Sequence, residues 1–185
     1  MKPVSVSNGN LLGHWRRWAP VVVLLALCIL ISLFNGNFLT FGNFIRLLNS
    51  AAIPIVLCMG ATFIILMGSI DLSIEGVVAL TAVIVSLLVI NDISPYALSL
   101  WAVPIAVAVG GMMGLLNGVL HIKLKTPSFM TTLGVGFAGV GVATTILGGT
   151  TVRISDPTFR FLSLGRVLEI PMAVWIAAVA VAVAY

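Results

Sequence analysis

Few residues in this chain have chemistry to offer, and the most informative of them lie in one short run. Of five carboxylates in 185 residues, Asp71 and Glu75 fall in Met67-Gly-Ser-Ile-Asp71-Leu-Ser73-Ile-Glu75-Gly76. That run interrupts an otherwise apolar stretch from residue 51 to residue 90. A carboxylate at the centre of a membrane helix costs about 2.5–3.5 kcal/mol on insertion scales, so two of them will not face lipid. The physical solution is a break between two helices. Gly68 and Ser69 end the first, Asp71 caps the second, and Glu75 stands in its first turn, where the helix dipole favours negative charge. Two readings follow. In one, Gly68, Asp71, Ser73 and Glu75 form a capped turn at the membrane surface. In the other they form a discontinuous element beside a solute path, as transporters place at their binding sites.

A second pattern is glycine at four-residue intervals. Gly110, Gly114 and Gly118 share one helix face, with Asn117 among them, and Gly134, Gly136, Gly139 and Gly141 enrich the following apolar run. Small residues let helix backbones approach where hydrophobic burial cannot drive association. These positions are therefore expected to be packing sites, with Asn117 placed either to hydrogen-bond across helices or to contact solute. No Gly-x-x-x-x-Gly-Lys-Ser/Thr phosphate cradle, Gly-x-Ser-x-Gly elbow or His-Glu-x-x-His pair occurs. His14 and His121 are read as solvated or in contact with lipid headgroups. Arg153, Asp156, Arg160 and Glu169 are read as a solvated loop. Cys28 and Cys58 lie in apolar runs, where a thiol behaves as a small hydrophobe, and their spacing suggests neither a disulfide nor a metal.

The elements that must position these residues follow from composition. Apolar residues make up 61% of the chain and charged residues 8%, against about half and a quarter in soluble domains. Lipid must be part of the solvent. The expected fold is all-α, a polytopic integral membrane helix bundle with about six spans: 18–34, 51–67, 74–90, 97–120, 128–147 and 170–185. Residues 1–17 are expected to be a cytoplasmic N-terminal segment, polar and flexible over Met1–Gly13, with 18–185 forming the transmembrane permease domain. Ala19–Phe34 is followed by Asn-Gly-Asn and no small-residue cleavage site, so it reads as an uncleaved span. Ser94-Pro95 and Thr126-Pro127 look like N-caps followed by proline at the first helical position, and Ile170-Pro171 opens the last span. That span has 16 residues, or roughly 24 Å at about 1.5 Å per residue, short of the ~30 Å hydrocarbon core. It is expected to be truncated, and the chain a fragment of something longer.

Lys2, Arg16 and Arg17 favour a cytoplasmic N-terminus, and four crossings later Lys123 and Lys125 stand on the same side. The basic residues then divide five inside and four outside, of nine in all. They are scattered singly or in pairs with no basic face and no interleaved aromatics, which gives no reason to expect nucleic acid as a partner.

Gly68-Ser-Ile-Asp-Leu-Ser73 resembles the Gly-Gly-Ile-Asp-Leu-Ser motif of permease subunits in bacterial ribose-type sugar ABC importers. The resemblance continues through Gly114-Leu-Leu-Asn117-Gly118, Thr126-Pro-Ser-Phe129-Met-Thr-Thr-Leu-Gly134, Gly148-Gly149 and Phe161-Leu-Ser-Leu-Gly-Arg166-Val-Leu-Glu-Ile-Pro171. It runs in the family's order from about residue 37 to the end. Ser69 replaces a usual glycine, Glu75 stands where glycine is common, and Val140 occupies a position often held by arginine in sugar members. The resemblance implies a multi-pass subunit in a bacterial inner membrane that pairs with a second permease subunit, as a homo- or heterodimer. It takes solute from an extracytoplasmic binding protein and is driven by separate ATPase subunits. No cofactor is then expected in this chain, since ATP is bound by the ATPase. The family's ATPase-coupling loop lies in the half that this sequence lacks.

Two other readings remain open alongside the importer permease, which is not an enzyme. An ion-coupled secondary transporter would also suit a broken helix with acidic residues. A membrane-embedded enzyme would need two reactive groups at one depth, and only Asp71 and Glu75, a helical turn apart, offer that. A truncated permease that does not transport by itself is a further possibility.

Overall fold

The computed structural model describes the backbone of residues 9–185 and the side chains from Trp18 onward. Of the expected N-terminal segment 1–17, residues 1–8 lie outside the described residues, and the backbone of Gly9 to Arg17 forms the start of the first helix. Seven α-helices are present among the described residues: α1 Gly9–Phe34, α2 Phe41–Leu66, α3 Ile74–Leu88, α4 Ala102–Leu124, α5 Ser128–Leu147, α6 Pro157–Leu164 and α7 Met172–Ala184. A 3₁₀ turn, Ser99–Trp101, leads into α4, and a two-residue hairpin pairs β1 (Arg166–Val167) with β2 (Ile170–Pro171). The fold is all-α in substance, as the composition requires.

Three helical segments are long and apolar enough to cross a membrane, Phe41–Leu66, Ser99–Leu124 and Ser128–Leu147, while Trp18–Phe34, Ile74–Leu88 and Met172–Ala184 are apolar but shorter. Six helices thus stand where six spans are expected, with shifted bounds. α2 begins ten residues before the expected 51, because Asn43 does not break the helix. Its Nδ2 donates to Phe38 O at 2.8 Å and ties the first turn to the preceding loop. The expectation of a cap at Ser94-Pro95 fails. Residues 95–98 are not helical, and Ser94 Oγ donates instead to Leu87 O at 2.7 Å. Pro127 is itself the N-cap of α5, with ψ 138°, so that helix starts at Ser128, one residue later than the Thr126-Pro127 pattern suggests.

The chain divides into two compact units, residues 1–47 and 48–185. In the first, the turn between α1 and α2 is closed by its own side chains: Asn35 Oδ1 accepts from Asn37 N at 3.0 Å, and Thr40 Oγ1 donates to Asn37 O at 2.8 Å. In the second, α3 packs against α5 and α4, α4 packs against α5, and α6 packs against α7. The buried apolar residues are Ile45, Ala52, Val83, Val89, Ala102, Val135, Ala143 and Ala177, nearly all small or β-branched. Large side chains such as Leu24, Ile29, Phe63, Val107 and Phe137 point outward. A soluble protein would reverse this arrangement; a helix bundle in lipid gains contact by bringing backbones together.

One end of the second unit is built by the segments after α3 and α5. Asn91 organises it: Oδ1 accepts from Ile93 N at 2.7 Å and Ser94 N at 2.6 Å, while Nδ2 donates to Val89 O at 2.9 Å and also to Ser86 O. Ser155 N donates to Ile90 O at 2.9 Å and Arg153 N to Asp92 Oδ1 at 3.1 Å, joining the two segments. The region expected to be a solvated loop is therefore ordered. Asp156 is 6% exposed and caps α6, with Oδ1 accepting from Phe159 N at 2.9 Å and Pro157 at the first helical position.

Candidate functional site

The break between α2 and α3 lies at the other end, beside the turn that joins α4 to α5. α2 stops at Leu66, and Gly68 takes φ +73°, a conformation that costs an ordinary L-residue about 1–2 kcal/mol and glycine nothing. Gly68 N donates to Ile65 O at 2.9 Å and Ser69 N to Ile64 O at 3.1 Å, which closes the end of α2. Residues 69–73 are then extended or irregular until α3 starts at Ile74.

This segment cannot leave its amides bare in a low-dielectric setting. Ile70 N donates to Ser128 Oγ at 3.1 Å and Leu72 N to Thr132 Oγ1 at 3.0 Å, both from the first turns of α5. Asp71 Oδ1 accepts from Ser73 N at 2.7 Å and from Ser73 Oγ at 2.6 Å. The carboxylate thus holds the first turn before α3 from two residues outside its N-cap, which is Ser73. Ser73, 1% exposed, has one hydroxyl proton, and Asp71 takes it. Its oxygen can then only accept, and it does so from Asn117 Nδ2 at 2.8 Å. That order fixes the amide orientation and leaves Asn117 Oδ1 buried and without a partner among the described residues.

The expected site residues therefore separate into groups. Gly68, Asp71 and Ser73 come together in the break, with Asn117 bonded to it. Glu75 lies in the first turn of α3 but is exposed and outside this network. Gly110 and Gly114, expected as packing positions, line a cavity of ≈ 260 Å³ together with Asp71 and Ser73; Val56, Gly60, Ile64 and Val77 complete much of its wall. An added Cβ at Gly110 would meet only Val77 Cγ1 at 3.6 Å and Thr81 Cγ2 at 3.9 Å, and Gly114 and Gly118 have nothing within 4 Å.

The closest helix approach is made by other glycines. A Cβ on Gly76 would overlap the Gly136 carbonyl, one on Gly136 would sit 3.1 Å from Leu72 O and Ser73 Cα, and one on Gly139 would sit 2.9 Å from Gly76 O. The tight crossing is thus α3 on α5, not the α4 face at 110, 114 and 118. Spacing along one helix identifies a smooth face but not its partner.

The depth of the break follows from Asn117. It lies seven residues before the last residue of α4, Leu124, which at about 1.5 Å per residue is roughly 10 Å along the helix. The Asp71–Ser73 pair is recessed from that end. The Asp71 carboxylate lining a small cavity can accept hydrogen bonds from a polar solute, while Ser73, buried and bonded to both Asp71 and Asn117, holds it in place. Ser128, Thr132, Gly76 and Asn91 were not singled out by the sequence; a hydroxyl or glycine in an apolar helix carries no local mark of the neighbour it will meet.

A broken helix beside a polar-floored cavity is an arrangement that membrane transporters place at their binding sites. Residues 43–185 match the family described as branched-chain amino acid transport system / permease component, and the chain belongs to that family. Among its relatives are the ribose import permease protein RbsC of Haemophilus influenzae, 29% identical over 189 residues covering 96% of this chain and 54% of the relative, and the galactofuranose transporter permease protein YtfT of Escherichia coli K12, 32% identical over 173 residues covering 89% and 50%. The L-arabinose ABC transporter permease protein AraH of Azospirillum brasilense is 31% identical over 166 residues covering 88% and 48%. The chain spans about half the length of the curated relatives it matches. No solved structure matches it.

Proposed function

We propose that this chain supplies part of the permease subunit of an ATP-binding-cassette importer, and that the cavity between α2, α3 and α4 lies on the path of a sugar or similar small polar solute. The observation that carries this reading is the recessed Asp71–Ser73 pair facing a ≈ 260 Å³ space whose remaining wall is almost wholly apolar. A capped turn at a membrane surface would face water directly and would need neither the recess nor the buried Asn117. The named solutes of the relatives, ribose, galactofuranose and arabinose, share a high density of hydroxyl groups, from which a carboxylate accepts well.

The reading includes partners. ATP would be bound by separate ATPase subunits and not by this chain, and a second permease subunit would complete the pore within the lipid of a bacterial inner membrane. The basic residues at 16, 17, 123 and 125 support a cytoplasmic N-terminus, which puts the break toward the cytoplasmic side and α6 outside. At that outer end Arg153 and Arg160, both exposed, line a cleft of ≈ 500 Å³. Their neighbour Asp156 is committed to capping α6 and Asp92 to the Arg153 amide. Two free guanidiniums there suit the carboxylates of an extracytoplasmic binding protein.

The test is uptake of radiolabelled pentoses by the full-length permease reconstituted with its ATPase and binding protein. Uptake that requires internal ATP and the binding protein supports the importer. Uptake that follows a proton or sodium gradient without ATP would replace it with the ion-coupled transporter.

A further inference from the structure

The backbone of the break is held by two different helices, and the change of hands falls between adjacent residues. Gly68 N and Ser69 N donate back into α2, to Ile65 O and Ile64 O. From Ile70 onward the partners are on α5. Ser128 Oγ takes the Ile70 amide at 3.1 Å and Thr132 Oγ1 takes the Leu72 amide at 3.0 Å. One turn further along the same face, Gly136 brings the α5 backbone against Leu72 O and Ser73 Cα. Positions 128, 132 and 136 are four apart and so face one way.

Asp71 lies between the two amides that α5 holds. Its own carboxylate makes no bond to α5; it bonds Ser73 and looks into the cavity. We propose that Ser128 and Thr132 are positioning residues for Asp71: through the flanking amides they set where the carboxylate stands on the cavity floor. The floor is then carried by α5 through the Ile70 and Leu72 amides and by α4 through Asn117, and α2 leads into it through Gly68 and Ser69. This rests on the reading that the cavity faces solute.

Thr132→Val keeps the volume and removes the hydroxyl, Thr132→Ser keeps the hydroxyl and loses a methyl, and Ser128→Ala removes the other acceptor with the least change in shape. In the purified full-length permease, hydrogen exchange of residues 68–73 measures the clamp without any need for transport. Exchange at Leu72 should rise about tenfold in Thr132→Val, in keeping with the loss of one net hydrogen bond, and Thr132→Ser should restore it. Ser128→Ala should do the same at Ile70. In the reconstituted importer, Thr132→Val should raise the solute concentration for half-maximal uptake, again with rescue by serine, and leave the maximal rate within about twofold.

Unchanged exchange in both Thr132→Val and Ser128→Ala would overturn the proposal. So would a loss of apparent affinity in Thr132→Ser with none in Thr132→Val, which would assign the effect to packing. If the wild-type importer shows no ATP-dependent uptake, the functional reading fails, and the exchange data still decide whether α5 holds the segment.

Discussion

Ser73 and Asn117, separated by 44 positions in sequence, meet at 2.8 Å, with the Asn117 amide donating to the Ser73 hydroxyl. This bond ties the start of α3 to the middle of α4. It also completes a chain in which the Ser73 hydroxyl donates its single hydrogen bond to Asp71. Asn117→Ala should lower the stability of the detergent-solubilised protein by about 1 kcal/mol, seen as a reduced Tm. An unchanged Tm would mean the bond contributes nothing net.

Asp71 has two roles that substitution can separate. Asp71→Ala removes the acceptor for both Ser73 groups and should cost about 1–2 kcal/mol, as loss of a helix cap does, reducing the amount of folded protein in membranes. Asp71→Asn keeps an oxygen in place for the Ser73 amide but removes the charge. Near-normal folding with weakened uptake in Asp71→Asn would assign the charge to the solute path. Equal loss of folding in both variants would leave the carboxylate with a structural role alone.

The glycines differ sharply in what they tolerate. Gly76→Ala drives a methyl into the Gly136 carbonyl, an overpacking that should cost at least about 1–3 kcal/mol, because backbone has no rotamer to yield. Gly118→Ala meets nothing within 4 Å in this chain and should be neutral or stabilising by up to about 1 kcal/mol, from helix propensity. Thermal denaturation of the two variants checks the contrast, and a Gly118→Ala as damaging as Gly76→Ala would place a partner helix against that face.

At the outer end, Asp156 is held ionised below its ordinary value by the Phe159 amide, opposed by some desolvation, with further help from Ser99 and the Thr158 amide. The folded form therefore binds its proton more weakly than the unfolded chain. The stabilisation is fully present above the ordinary value of 3.8 and is lost as pH falls through the lowered one. The first turn of α6 should stay protected from hydrogen exchange at ~pH 5 and open only as pH falls below the ordinary value of 3.8. Asp156→Ala should expose that turn at every pH, and protection equal to wild type would exclude the cap.

Much of this architecture was legible because local chemistry specifies it. α5 coincides with the expected 128–147, bounded by Thr126-Pro127 at one end and by Gly148, left-handed at φ +60°, at the other. The helix break was legible because two carboxylates cannot sit in an unbroken lipid-facing helix. α2 was read ten residues short, since Asn43, Arg46 and Asn49 dilute its first turns and hydropathy cannot distinguish a polar helix from a loop. Asp156-Pro157 carries the same N-cap pattern as positions 94–95 and 126–127, but the charges around it give the segment the composition of a solvated loop. What no local signal carried was pairing. Nothing near Gly136 announces Gly76, and nothing near Thr132 announces the Leu72 amide, because register between helices is decided by the whole packing.

The central claim is that the cavity floored by Asp71 and Ser73 is on the solute path. Gly114→Cys reports on it directly, since it lines the cavity and has open space where its side chain would go. In a background with Cys28 and Cys58 replaced by serine, the rate of labelling by a membrane-impermeant thiol reagent would be measured with and without solute in the working importer. The account predicts that the reagent reaches this cysteine and that the transported solute slows its reaction. A cysteine that remains unreactive, or that reacts at one rate with or without solute while transport proceeds, would contradict it.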